Sequence, residues 1–320
     1  MALLAPICSA SETTLSAEPA IFNIEVVNGT KAGASVADDE VTITVYRDGR
    51  LMLTLNGIAN SEGKFTFEDI PTGNNVVVLP RAKHQDMSFN GSAVAITPGQ
   101  TEFYGKVPVY DVSFDASLIS VGTHHFIIKT ESDSVLIQEY MQLKNSSDMA
   151  IISDELDDHE RNIVFRVMLP DGFEGLSFQG YFVENAIVMT DDGFYDTMAI
   201  PPGTFQAVFA YSIPIGSETI GITKEITLPT SEFSVFSQLS SDKIQGLGEP
   251  IGKFKLSNET PADYFKLSSY KPGDKIAFEI TGFNVKSDES KTVIILTVVF
   301  AVIGILAALR LLGKKTVESF

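Results

Sequence analysis

Tryptophan is absent from this chain, cysteine occurs once and histidine four times. Each scarcity removes a class of chemistry. The single thiol, Cys8, falls in an apolar leading segment, so a chain cut after Ala10 would have no disulfide, no Cys nucleophile and no thiolate metal site. Disulfide-free extracytoplasmic domains point to a bacterial-type cell envelope rather than an animal secretory route. Glycan platforms built on indole rings are excluded, although nine tyrosines remain. No H-E-x-x-H pairs the histidines for zinc, no serine stands in a G-x-S-x-G elbow, and no glycine loop has phosphate-binding spacing. Basic residues are also few. Lys and Arg number 23 against 41 Asp and Glu, a net charge of −18. Arg310, Lys314 and Lys315 against Glu318 give residues 310–320 a charge of +2, and residues 1–10 carry none, leaving −20 between 11 and 309. Such a surface repels phosphate backbones, so nucleic acid is not an expected partner.

Helical periodicity is nearly absent before residue 292, and then one apolar run appears. Thr292 to Leu312 read TVIILTVVFAVIGILAALRLL, with Arg310 as its only charge. At ~1.5 Å per residue the run reaches roughly 31 Å, the thickness of a bilayer's hydrocarbon core. It is expected to be a transmembrane helix over 292–312, with Gly304 and Ala308 as a small-x-x-x-small pair compatible with a homodimer. Lys314 and Lys315 follow it, so the positive-inside bias puts the tail 313–320 in the cytoplasm and the preceding chain outside. That topology needs an export segment. Residues 1–18 fill the role as the shortened end of a signal peptide, and 286–291 form a polar stalk.

Between these ends the pattern alternates with period two. Val41, Ile43 and Val45 fall on one face of a strand, Arg47-Asp48-Gly49-Arg50 makes a turn, and Leu51, Leu53 and Leu55 resume the alternation. Lys64–Phe67 and Val76–Leu79 follow, separated by Asp69-Ile-Pro-Thr-Gly73. Short strands with turn signals every few residues predict an all-β chain of tandem β-sandwiches. The expected strands of the second region, 116–285, are Val135–Leu143, Ile163–Leu169, Ala186–Thr190, Phe205–Ile213, Ile251–Leu256 and Lys275–Ile280.

The pattern VTITVYRDG, then SEGKFTFEDIPTGNNVVV, carries Glu62, Gly63, Phe65, Phe67, Ile70, Pro71 and Gly73 at the spacing of a known module. Over about residues 20–115 the chain resembles the carboxypeptidase regulatory-like domain, a transthyretin-like sandwich. The resemblance implies a seven-strand accessory module and no catalytic zinc, because the zinc ligands of carboxypeptidases belong to another domain. Ser61-Glu-Gly63 with Ile70-Pro-Thr-Gly73 has a counterpart in Asp191-Asp-Gly193 with Ile200-Pro-Pro-Gly203. The glycines are expected at positive φ, through duplication or through independent reuse of the same turn chemistry.

Ser153-Asp-Glu-Leu-Asp-Asp-His-Glu160 is the densest ionisable cluster. Asp154, Asp157, Asp158 and Glu160 supply the oxygen ligands that Ca²⁺ prefers, but without EF-hand spacing, so a solvated acidic loop is the expectation and a Ca²⁺ site the alternative. His84 with Met87 is a second candidate, as an imidazole and thioether pair for copper. His124 and His125 adjoin Phe126-Ile-Ile128 and are expected on opposite faces of a strand. Sequons occur at Asn28, Asn90, Asn145 and Asn258. The resulting expectation is a single-pass, non-enzymatic envelope protein acting as a scaffold, adhesion or accessory subunit for an envelope protein partner, with no cofactor. The alternatives are a membrane-tethered metal or small-ligand binder, and an extracytoplasmic hydrolase with dispersed site residues.

Overall fold

Val41, Ile43 and Val45 are completely buried along β2 (Glu40–Arg47), as the alternation requires. The structure is a computed structural model that describes residues 19–255 and 261–284. The export segment with Cys8, Asn258, the stalk, the apolar run with Gly304 and Ala308, and the tail lie outside the described residues. Among the described residues the regular structure is strands and three short 3-10 turns, and no helix is long and apolar enough to cross a membrane. The chain divides into two compact units at 112/113, within the short strand β9 (Val112–Ser113) that follows the first eight strands.

In the first unit, β1 (Ala20–Asn28) pairs antiparallel with β4 (Lys64–Ile70) and parallel with β8 (Glu102–Val109). The second sheet runs β3 (Arg50–Ile58), β2, β5 (Val76–His84), β6 (Met87–Asn90), with β7 (Val94–Ala95) also on β5. Phe22, Ile24 and Val26 from one sheet and Val41, Ile43, Val45 and Val78 from the other are all nearly inaccessible, which makes the unit a β-sandwich. Asp48 and Gly49 both have positive φ, the conformation of a two-residue hairpin turn. The expected alternation of Leu51, Leu53 and Leu55 fails at its first member. Val45 pairs with Leu53 and Tyr46 with Leu51, so Met52 is the extra residue of a bulge. The bulge turns Leu51 to the opposite face, where it is 62% exposed.

The second unit is built on a seven-stranded sheet. Its order is β14 (Glu174–Gly180), β17 (Gly203–Pro214), β11 (Ser134–Asn145), β10 (Ile119–Thr130), β19 (Thr230–Ser237), β22 (Ala262–Lys266), β21 (Gly252–Phe254). Two three-stranded sheets cover one face. One is β13 (Phe165–Met168), β16 (Gly193–Asp196), β15 (Ile187–Thr190); the other is β18 (Thr219–Glu225), β23 (Lys275–Thr281), β20 (Ile244–Gln245). The short strand β12 (Ala150–Ile151) bridges Ile200 through Ile151. Phe194 of β16 meets Phe209 of β17 at 5.2 Å, and Phe126 of β10 meets Phe278 of β23 at 5.8 Å, so both small sheets share one core with the large one. Each of these rings contributes ~1.5–3 kcal/mol on burial.

The glycines expected at positive φ have it: Gly63 +75°, Gly73 +156°, Gly193 +150° and Gly203 +126°. Upstream of them, Asp48-Gly49 in the first unit has a counterpart in Asp171-Gly172 of the second, but the strand pairing around these two turns differs. β2 and β3, which flank the first Asp-Gly turn, form a hairpin, whereas β13 and β14, which flank Asp171-Gly172, belong to different sheets. Similar turn residues therefore serve two unlike topologies. Gly193 is the most demanding position, because a Cβ there would lie 2.0 Å from the Val167 carbonyl oxygen. Gly193→Ala should destabilise the second unit by roughly 2 kcal/mol or more in urea unfolding, against little change for Gly221→Ala, where a Cβ meets open space.

Candidate functional site

The acidic loop does not gather its four carboxylates around one point. Asp157 turns inward and accepts from the Arg161 Nε at 2.8 Å, the Tyr195 hydroxyl at 2.8 Å and the backbone N–H groups of His159 and Arg161 at 2.9 Å each. Burial alone would raise its carboxyl, but these bonds hold it well below the usual carboxylate range. Asp154, Asp158 and Glu160 are exposed. Among the described residues no three His, Cys, Asp or Glu side chains are grouped to hold a metal ion. Asp157 is a fastener for its own loop.

His84 ends the buried row of β5 and is 2% exposed. It pairs in register with Met87 across a two-residue turn, Gln85-Asp86, whose φ values are both positive. Its ring nitrogens are directed elsewhere: Nδ1 lies 2.8 Å from Asp39 Oδ2 and Nε2 lies 3.1 Å from Asp111 Oδ1. Both ligating positions are thus spent on carboxylates rather than left open toward the Met87 sulfur. The two carboxylates differ. Burial raises Asp39 despite its bond to His84. In Asp111 the burial effect is outweighed by Asn28, His84 and the Ala34 N–H, and its pKa is lowered. Asn28 Nδ2 donates to Asp111 at 2.6 Å and to the Ala34 carbonyl at 2.9 Å, so a glycan on that nitrogen would break the cluster. Asn145 is likewise engaged, donating to the carbonyls of Met149 and Ile200, and is 2% exposed.

The most concentrated chemistry lies in the second unit, on residues that no sequence motif marks. Glu139, fully buried on β11, receives four contacts from three donor groups. The Tyr211 hydroxyl donates to Oε1 at 2.9 Å, His124 Nε2 lies 2.7 Å from Oε2, and Lys224 Nζ lies 3.1 and 2.9 Å from Oε1 and Oε2. Lys224 Nζ also donates to the Met168 carbonyl at 2.9 Å and sits 5.4 Å from the Phe209 ring centre. An amine with three oxygen acceptors around it has the geometry of an ammonium. Burial would raise Glu139, but Lys224 and His124 more than offset it and hold the carboxyl below its usual range. Burial lowers both Lys224 and His124, against the pull of Glu139. The cluster is therefore an ionised Glu–Lys pair, with a neutral imidazole and a phenol as further donors. The void beside His124 and Lys224 is about 10 Å³, at the lower limit for one water and far too small for a substrate.

His124 and His125 do occupy opposite faces of β10. His124 joins the Glu139 cluster, while His125 lies 5.5 Å from the Tyr140 ring and 5.0 Å from the Phe236 ring. The row pattern of the sequence does hold a signal for the cluster. Glu139 occupies the inward row of Val135, Ile137, Met141 and Leu143, and Lys224 that of Ile220 and Ile222. Opposite charges standing in two apolar rows point to a buried pair.

No protein-family model matches the chain, and no curated protein matches it. Among solved structures, the chain is similar to the full-length major pilin SpaD from Corynebacterium diphtheriae, at 9% identity over 83% of this chain and 81% of that one, with a TM-score of 0.24. It is also similar to the full-length RrgB pilus protein from Streptococcus pneumoniae, at 9% identity over 86% of this chain and 64% of that one, with a TM-score of 0.21. Likeness this loose leaves the fold to be read from the chain's own sheets.

Proposed function

We propose that the chain is a membrane-anchored display protein of the cell envelope, carrying two β-sandwich units outside the cytoplasm as a scaffold or adhesion subunit. The observation that carries this reading is the use made of the ionisable residues. Glu139, Lys224, His124 and Tyr211 in one unit, and His84, Asp39 and Asp111 in the other, are bonded to one another inside their own units. They act as internal fasteners, and the larger cluster has no space for a reactant. The anchor rests on the apolar run 292–312 and the lysines after it. The carboxypeptidase regulatory-like identity of the first unit rests on its sequence pattern, and an accessory module of that kind suits a display role.

Protease added to intact cells should degrade residues before the apolar run and leave a small C-terminal fragment in the membrane. A membrane-impermeant cross-linker on the same cells should join the chain to a defined envelope protein. Complete protection from protease, with no cross-linked species, would refute the display reading.

A further inference from the structure

The outward face of the β4–β1–β8 sheet carries polar and charged side chains on all three strands. It forms an open depression of about 510 Å³, a size that suits a short oligosaccharide. Two rows of side chains line it. Thr66, Asn23 and Tyr104 stand side by side across the three strands, and Lys64, Glu25 and Lys106 form the next row. The first row is pre-oriented. Thr66 Oγ1 donates to Asn23 Oδ1 at 2.7 Å, and Asn23 Nδ2 donates to Glu102 Oε1 at 2.8 Å. Glu102 stands on the same face of β8 as Tyr104, whose ring is 67% exposed.

Ligand class follows from this lining. Apolar ligands want enclosed apolar walls, and this depression is open, with the Tyr104 ring and the half-buried Phe65 set among charged and amide side chains. Lys64 is paired with Glu62 at 3.0 Å, which leaves Lys106 beside Glu25 and Glu102, so the depression has no positive excess on a chain of charge −18. That field repels anions, and the lysines offer nothing to a cation. A neutral polyhydroxylated molecule fits. Its hydroxyls are both donors and acceptors, matching the Asn23 amide, the Glu102 carboxylate and the Lys106 ammonium group. The C–H face of a sugar ring can lie on the exposed tyrosine, which presents an apolar body beside a polar tip. We infer that this face is a binding site for neutral oligosaccharides, with Tyr104 as the platform and Asn23, Thr66 and Glu102 as the polar contacts.

The inference adds a ligand to the display reading but does not depend on it, since binding is measured with full-length protein in solution and topology on cells. The probes are neutral trisaccharides built of glucose, galactose or N-acetylglucosamine units, with a sulfated trisaccharide as the charged comparison. Saturation-transfer NMR should show saturable contact with at least one neutral probe. Tyr104→Ala should weaken it at least roughly tenfold, as should Asn23→Ala, while Tyr104→Phe stays within about threefold. Because Tyr104 is exposed, Tyr104→Ala should melt with the parent protein. Failure of every neutral probe to bind, equal binding by Tyr104→Ala, or preference for the sulfated probe would each overturn the assignment.

Discussion

Lys224→Met should destabilise the second unit by ~3–5 kcal/mol, because it strands the Glu139 carboxylate inside the core with its strongest partner removed. The Met168 carbonyl would also lose its donor. Taking two charges out of water is costly, and here the cost is offset only while every donor and acceptor in the cluster is used. The double change Lys224→Met with Glu139→Gln should therefore be milder than Lys224→Met alone, recovering at least half of the loss. Tyr211 and His124 could still donate to the amide oxygen that takes the place of the carboxylate. Urea unfolding of the four proteins of this cycle measures the coupling directly. A single Lys224→Met costing under ~1 kcal/mol would mean that the pair is not ionised in the folded protein.

The second large effect is a pair of opposed pH dependences within the same unit. Burial, and then the neighbouring His124, pulls the His125 pKa from 6.5 down to about 4. Between those values the unfolded ring is protonated and the folded ring is not, so stability is lost as pH falls from about 6.5 to 4. The amount is about 3 kcal/mol. Asp196 behaves in reverse. Its Oδ1 accepts from the Met198 N–H at 2.8 Å, but its buried Oδ2 has no partner. Burial pushes its carboxyl from 3.8 up to about 7, against the N–H groups of Met198 and Thr197. The folded state keeps a proton that the unfolded state has released, so the contribution is most favourable below about pH 3.8. As pH rises to 7, about 4 kcal/mol is lost.

In the native chain the two slopes oppose each other between about pH 4 and 6.5, and single variants should separate them. His125→Phe keeps a ring against Tyr140 and Phe236, and its stability should rise on acidification from about pH 7 to 4.5. Asp196→Asn should lose stability over the same range. At about pH 8 Asp196→Asn should also be more stable than the parent by ~1–3 kcal/mol, the ionisation penalty less the cost of one unpaired amide. Two variants that both follow the parent's pH curve would show that neither group is buried as described.

These effects mark the line between what the sequence holds and what it does not. Strands follow from local rules. A period of two with β-branched residues, stopped by Asp-Gly or Pro-x-Gly, yields β2, β4, β11, β17 and β23 close to their expected spans, because each signal lies within ten or so neighbouring residues. Glycine φ signs are equally local. The alternation rule fails at Leu51 because a bulge is a property of a strand pair rather than of one strand. Duplication stays open in the sequence for a similar reason, since two Asp-Gly turns look alike until the partners of their flanking strands are known.

Sites obey longer-range rules. By itself the sequence determined the acidic balance, the scarcity of thiols and imidazoles, the β-rich body and the apolar run at 292–312, all of them properties of composition or of adjacent residues. It placed His84 beside Met87, whereas the fold aims that ring at Asp39 and Asp111, 45 and 27 residues away. It grouped Asp157 with Asp158, whereas the fold joins Asp157 to Tyr195. Only the tertiary structure brought Glu139 to Lys224, 85 residues apart, and left Asp196 Oδ2 without a partner. The physical reason is desolvation. A charge in a strand is harmless or costly according to what the opposite sheet lays over it, and that is settled when the sheets close.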